Sequence, residues 1–178
     1  VLILANHIGD RAVLTEALQA LGFSGFTTML NHRQVLAGMA RASGLDEGAA
    51  GGVYRAIDKF DKIGADGVRE ELLKSGVAAE AAEHILAMVQ LAGAPGDVLE
   101  ELSERLAGDD RALAALENLR AVLGYLPELG VPAGTYAVSP QLARGLSYYT
   151  GVVFESVLES PPMGSLLGGG RYDELVGA

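Results

Sequence analysis

Cysteine and tryptophan are both absent from the 178 residues. Without thiols there is no disulfide framework, no thiolate metal site and no cysteine nucleophile. Positive charge is scarce, with 13 Lys and Arg against 23 Asp and Glu and a formal net charge of −10. A polyphosphate partner therefore needs a local cluster of cations, because the overall charge repels it. No apolar run approaches the ~18 residues that span a bilayer, so no membrane partner is expected. The apolar opening, residues 1–5, lacks the basic flank of a signal peptide. It starts without Met and in mid-pattern, as a piece of a longer protein would. His7, His32 and His84 lack metal-ligand spacing, so no metal site is expected either.

What is present is ample core material, 49% apolar residues with only 20% charged, in a length that suits one domain or a small domain plus part of another. The acidity is local. Residues 46–110 hold fifteen carboxylates against six Lys and Arg, whereas residues 1–45 hold two against three.

Apolar spacing predicts the elements. Asp10 caps a helix ended by Gly22, Phe26 to Leu30 forms a strand, and Asn31-His32-Arg33 opens a second helix running to Gly44. The small, Gly-rich run Asp46 to Gly52 reads as a loop or boundary. Helices then follow to about Gly130: a stripe of Tyr54, Ile57, Phe60 and Ile63, a helix capped by Asp66, two more over Ala79 to Leu91 and Val98 to Leu106, and a long one starting at Asp109 or Asp110. Thr135 to Ser139 and Tyr148 to Val157 read as strands, Leu166-Leu167 as a short one, Gly168-Gly169-Gly170 as a loop, and Arg171 to Val176 as the start of a helix. The fold class is α+β, divided into 1–45, a helical module over 46–130, and 131–178.

Two segments can carry chemistry. In Arg144-Gly145-Leu146-Ser147-Tyr148-Tyr149-Thr150-Gly151 an arginine precedes two phenols, which suits a phosphate or carboxylate beside a planar ring. The same pattern also fits an ordinary strand with a solvated arginine at its end. In Gly168-Gly169-Gly170-Arg171-Tyr172-Asp173, the glycines suit close approach of a backbone to a ligand or a strand, or simply a flexible turn. Neither segment is a nucleophile elbow, a phosphate loop or a dinucleotide fingerprint.

Together these segments resemble the histidine-specific signature pair of histidyl-tRNA synthetases. The likeness extends to Leu30-Asn31-His32-Arg33 with Leu36-Ala37-Gly38-Met39, and to Val53 through Gly64, which resembles the start of that family's helical insertion domain. The resemblance implies a class II catalytic core, an antiparallel sheet with flanking helices, interrupted by an all-helical insertion. It implies a cytoplasmic homodimer that joins histidine to tRNA(His) using ATP, with Mg2+ accompanying the nucleotide. By the same likeness Arg144 is the catalytic cation at the α-phosphate. Tyr148, Tyr149 and Tyr172, walled by Gly168, Gly169 and Gly170, would form the histidine pocket. Arg55, Lys59 and Lys62, at helical spacing, are candidate tRNA contacts. Ser147 stands where the family usually has Asp, so the brace behind Arg144 must differ. A histidine-sensing paralogue, the regulatory subunit of ATP phosphoribosyltransferase, shares both signatures and is the alternative. The chain lacks the counterparts of the dimerisation motif, of the remaining ATP-binding arginines and of the anticodon-binding domain, so alone it is expected not to form adenylate.

Overall fold

The computed structural model describes residues 15–45, 47–144, 149–158, 164–171 and 173, with backbone only for 47–49. The expected cap at Asp10 and the helix after Arg171 fall outside these residues. Helical residues 15–20 (α1) lead into β1 (Phe26–His32), then α2 (Arg33–Ala42), α3 (Glu47–Ile57), α4 (Phe60–Lys74), α5 (Ala79–Val89), α6 (Pro95–Arg105) and α7 (Asp110–Glu128). Strands β2 (Tyr136–Val138), β3 (Val152–Leu158) and β4 (Gly164–Gly170) complete a sheet of order β2-β1-β3-β4.

This is the α+β arrangement of sheet and flanking helices, with one departure from an all-antiparallel sheet. The pairs β1–β3 and β3–β4 are antiparallel, but β2 runs parallel to β1 with Met29 opposite Ala137. A parallel neighbour requires a crossover, and here the crossover is the whole stretch from α2 to α7.

One apolar core joins the two regions. Leu30, Val138 and Val152 of the sheet belong to the same buried cluster as Leu72, Ile85, Leu102 and Leu116 of the helices. The closest seam lies between α2 and α7, where a Cβ on Gly38 would come within 2.6 Å of the Ala112 Cβ. Beside it the Arg41 guanidinium grips both oxygens of Asp109, at 2.7 and 3.1 Å. Asp109 also accepts from the Ala112 amide and so caps α7, as its position suggested. The Arg41 contact holds the Asp109 carboxyl below its ordinary range.

Several sequence expectations fail for identifiable reasons. Residues 47–52, read as part of a loop or boundary, are helical and belong to α3. Gly52 gives a close approach there, since a Cβ would meet Ser75 Cβ at 3.3 Å. The stripe through Ile63 breaks, since α3 stops at Ile57 and Gly64 adopts φ 65°, kinking α4 and leaving Ile63 39% exposed. Gly64 thus divides α4, and Asp66 stands two residues past the break, in the first turn of the second helical stretch, where it pairs with Arg69. Strand β3 begins at Val152, so Tyr149 and Thr150 precede it. Finally, Gly168-Gly169-Gly170 is strand, paired to Glu155, Phe154 and Val153.

Candidate functional site

Alternation along β3 puts Val153, Glu155 and Val157 on one face of the sheet, and their partners Gly170 and Gly168 on β4 share it. Arg144 reaches this face from the segment after β2. Its Nη2 lies 2.7 Å from Glu155 Oε1, with the arginine side chain 52% exposed and the carboxylate only 10% exposed. A carboxylate on a buried strand thus braces Arg144. Charge-assisted pairing of this kind fixes a guanidinium in position while leaving its outer edge to solvent.

Arg144 and Glu155 line a cleft of about 930 Å3, with Met29 and Val157 as its floor. It is lined as well by Asp58 of the turn between α3 and α4 and by Asp61 and Lys62 at the start of α4. The helical region therefore shares this cleft with Arg144.

The glycine triplet has a steric explanation. A Cβ on Gly170 would fall 2.6 Å from Cγ of Tyr149, and one on Gly169 would fall 2.6 Å from Cζ of Phe154. Two rings thus cover opposite faces of the same short strand, and only glycine lets each lie flat on the backbone. Gly168 is less constrained, since its nearest neighbour, the Phe154 carbonyl, would be 3.4 Å away. Gly170→Ala should therefore lower unfolding stability by about 1–3 kcal/mol through overpacking, whereas Gly168→Ala should cost far less. Parallel urea titrations of the two variants would check this, and equal losses would contradict it.

The two signature segments are laced together. The Thr150 amide donates to the Arg171 carbonyl at 2.9 Å, and the Arg171 amide donates to Val152 at 3.0 Å. The Thr150 hydroxyl donates to Asp173 at 2.7 Å, and Asp173 also accepts from Arg171 Nε at 2.7 Å. Gly151 is needed here, because a Cβ would come within 2.8 Å of the Arg171 side chain.

Sequence reasoning paired these segments without finding Glu155 or Asn31. Asn31 is fully buried on β1 and donates from Nδ2 to the carbonyls of Pro140 and Leu142, at 3.2 and 3.0 Å. Its signal was a polar amide at the end of an apolar strand. Next to it, His32 Nδ1 accepts from the Gln34 amide and caps α2. Burial, helped by the Arg171 charge, lowers the pKa of His32 from 6.5 to about 4. The unfolded chain therefore takes up this proton first, and stability present above pH ~6.5 is lost as the pH falls toward 4. His32→Asn keeps a capping acceptor and should remove about 2 kcal/mol of the stability difference between pH 7 and pH 4.5. Urea unfolding of both proteins at the two pH values measures it.

Arg33, also quoted in the resemblance, ties the sheet to α3. Its amide donates to the Gly151 carbonyl at 2.9 Å and its guanidinium stacks over the Tyr54 ring at 4.0 Å. Arg33 Nη1 is buried without a hydrogen-bond partner, so the ring face supplies its compensation.

The structure brings the expected site residues together only in part. Arg144 and Tyr149 approach the same face of the sheet, yet Tyr149 lines a separate pocket of about 410 Å3 with Arg33 and Tyr54. Tyr148 and Tyr172 lie outside the described residues. The stripe of Arg55, Lys59 and Lys62 is split by the α3–α4 turn. Lys59 pairs with Glu71, while Lys62 faces the cleft. Among the described residues no three metal-ligating side chains cluster, and Glu155 in the cleft is committed to Arg144. These residues alone therefore do not fit a magnesium cage. No described helix is long and apolar enough to cross a membrane.

Comparison with known proteins agrees with the fold. A family model described as histidyl-tRNA synthetase matches residues 8–178. The histidine–tRNA ligase of Gloeobacter violaceus is 39% identical over 93% of the chain, which spans 35% of that protein. The structure of histidyl-tRNA synthetase from Nostoc sp. PCC 7120 superposes with a TM-score of 0.92 at 33% identity, covering 98% of this chain and 41% of that one. A Bacillus halodurans C protein described as an ATP phosphoribosyltransferase regulatory subunit/histidyl-tRNA synthetase shares the fold, with a TM-score of 0.79 at 24% identity over 96% of this chain and 43% of that one. The chain thus spans little more than a third of the length of the curated relatives it matches.

Proposed function

Because the chain belongs to the histidyl-tRNA synthetase family, we propose that it supplies part of the active site of a histidine–tRNA ligase. In the first step a histidine carboxylate oxygen attacks the α-phosphorus of ATP. The bond to the bridging oxygen breaks, and pyrophosphate leaves with that electron pair. A terminal ribose hydroxyl of tRNA(His) then attacks the carbonyl carbon of the adenylate, and AMP leaves.

Arg144 serves the first step. Negative charge grows on the α-phosphate oxygens in the transition state, and a guanidinium already held by Glu155 stabilises it without reorganising. Mg2+ would arrive with ATP. Tyr149, with Tyr148, Tyr172 and the wall of Gly168, Gly169 and Gly170, would enclose the imidazole. A pocket that hydrogen-bonds both ring nitrogens rejects apolar analogues by roughly 10⁴. Lys62 would meet phosphate in the cleft, with Arg55 and Lys59 nearer the acceptor arm of the tRNA. The working assembly is a cytoplasmic homodimer.

The observation that carries this reading is the Arg144–Glu155 pair, which presents a braced cation in a large cleft on the signature-bearing face. Histidine-dependent exchange of pyrophosphate into ATP tests it. A full-length ligase carrying this segment should catalyse exchange and charge tRNA(His), whereas the 178-residue chain alone should do neither. A full-length protein that binds histidine but charges no tRNA would favour the regulatory paralogue.

A further inference from the structure

Asn31 and Arg144 are far apart in sequence, separated by all the helices from α2 to α7. The side-chain amide of Asn31 nevertheless reaches the segment from which Arg144 projects. It donates to Pro140 O at 3.2 Å and to Leu142 O at 3.0 Å, while its own Oδ1 accepts from the His32 amide at 2.8 Å. Two backbone bonds complete the fastening, Ser139 N to Leu30 O at 2.9 Å and Leu142 N to Ser139 O at 3.0 Å. Asn31 pairs with Val153 across β1–β3, so it lies on the face that carries Glu155.

We infer that Asn31 is a positioning residue for the proposed phosphate-binding arginine: by pinning the 139–142 turn to the sheet, it sets where Arg144 leaves the backbone to meet Glu155. The inference rests on the reading of Arg144 given above. Asparagine suits this task because it offers two donors and one acceptor on a short stem. Aspartate has no donor for the two carbonyls, leucine has neither function, and glutamine places the amide one methylene too far. Losing the amide strands two buried carbonyls and frees the turn. Glu155 alone then holds the guanidinium, on a backbone that can drift. A displacement near 1 Å at a reacting group is enough to cost about 10²-fold in rate.

Two measurements on Asn31→Ser test the inference. In the 178-residue chain, amide hydrogen exchange at Ser139 and Leu142, the hydrogen-bonded amides of the turn, should quicken at least tenfold while the β1–β3 amides keep their protection. In a full-length ligase carrying the segment, kcat for histidine-dependent pyrophosphate exchange should fall about 30–100-fold, with KM for histidine changing less than threefold. Unchanged protection of the turn, or equal loss throughout the sheet, would overturn the clamp. A loosened turn with unaltered kcat would overturn its role in placing Arg144. Arg144→Ala in the same ligase separates the two ideas, since full activity there would defeat the Arg144 reading while the exchange result still stands. Should Asn31→Ser fail to fold, the unsubstituted chain still decides. Its Asn31 side-chain amide protons should exchange at least a hundredfold more slowly than those of a free asparagine amide, and fast exchange would end the case.

Discussion

Replacing Arg144 by alanine in a full-length ligase carrying this segment should lower the rate of histidine activation by about 10²–10³-fold. Arg144 has a half-exposed guanidinium whose inner edge is held by a nearly buried carboxylate. It is prepared to stabilise charge that appears only in the transition state, so the loss should fall mainly on kcat. Arg144→Lys should recover little, because a single ammonium cannot pair with Glu155 and also present a planar edge to phosphate oxygens. Glu155→Gln should give an intermediate loss, since the cation remains but loses its charged partner. Pre-steady-state adenylate formation distinguishes these outcomes. A wild-type rate for Arg144→Ala would remove the centre of the proposed mechanism.

Leu116→Ala should have the largest effect on stability, about 2–5 kcal/mol. Leu116 is fully buried on α7, and domains of this size have only about 5–15 kcal/mol in total. The core is continuous from Leu30 and Val152 in the sheet to Leu102 and Leu116 in the helices. The Gly38–Ala112 seam and the Arg41–Asp109 fork close the same junction. The loss should therefore appear as one transition, with helical circular dichroism and tyrosine near-ultraviolet signals shifting together. Two separated transitions would show that the helices fold as an independent unit.

These features were unequally visible in the sequence. One helix boundary set by local chemistry was legible: Asp109, one of the two aspartates expected to start the long helix, caps α7. The helix read from Val98 begins earlier, at Pro95. The glycines were legible only in part. Gly52 read as part of a loop or boundary, and Gly168-Gly169-Gly170 was placed in a loop although close approach to a strand was one reading of it; in the fold each segment is regular and glycine makes room for a neighbour, Ser75 in one case and the Tyr149 and Phe154 rings in the other. Those neighbours are remote in sequence, so no local pattern announces them. The site behaves similarly. Arg144 and Tyr149 stood out as a cation beside phenols, with their roles implied by the resemblance, but Glu155 and Asn31 act through partners assembled only by the β1–β3 register and the turn after β2. Arg55, Lys59 and Lys62 do not share one helical stripe, because the chain turns between α3 and α4.

The parallel pairing of β1 with β2 also sets an order of assembly. Hairpin-like contacts can form early, but Met29 and Ala137 can meet only after the intervening helices have drawn the chain ends together. Closing so long a loop is entropically costly unless the helical stretch is already compact, and contacts of high sequence separation slow folding. The joining of β1 to β2 and, at still greater sequence separation, to β3 should therefore come late in refolding, and with it the turn that aims the guanidinium.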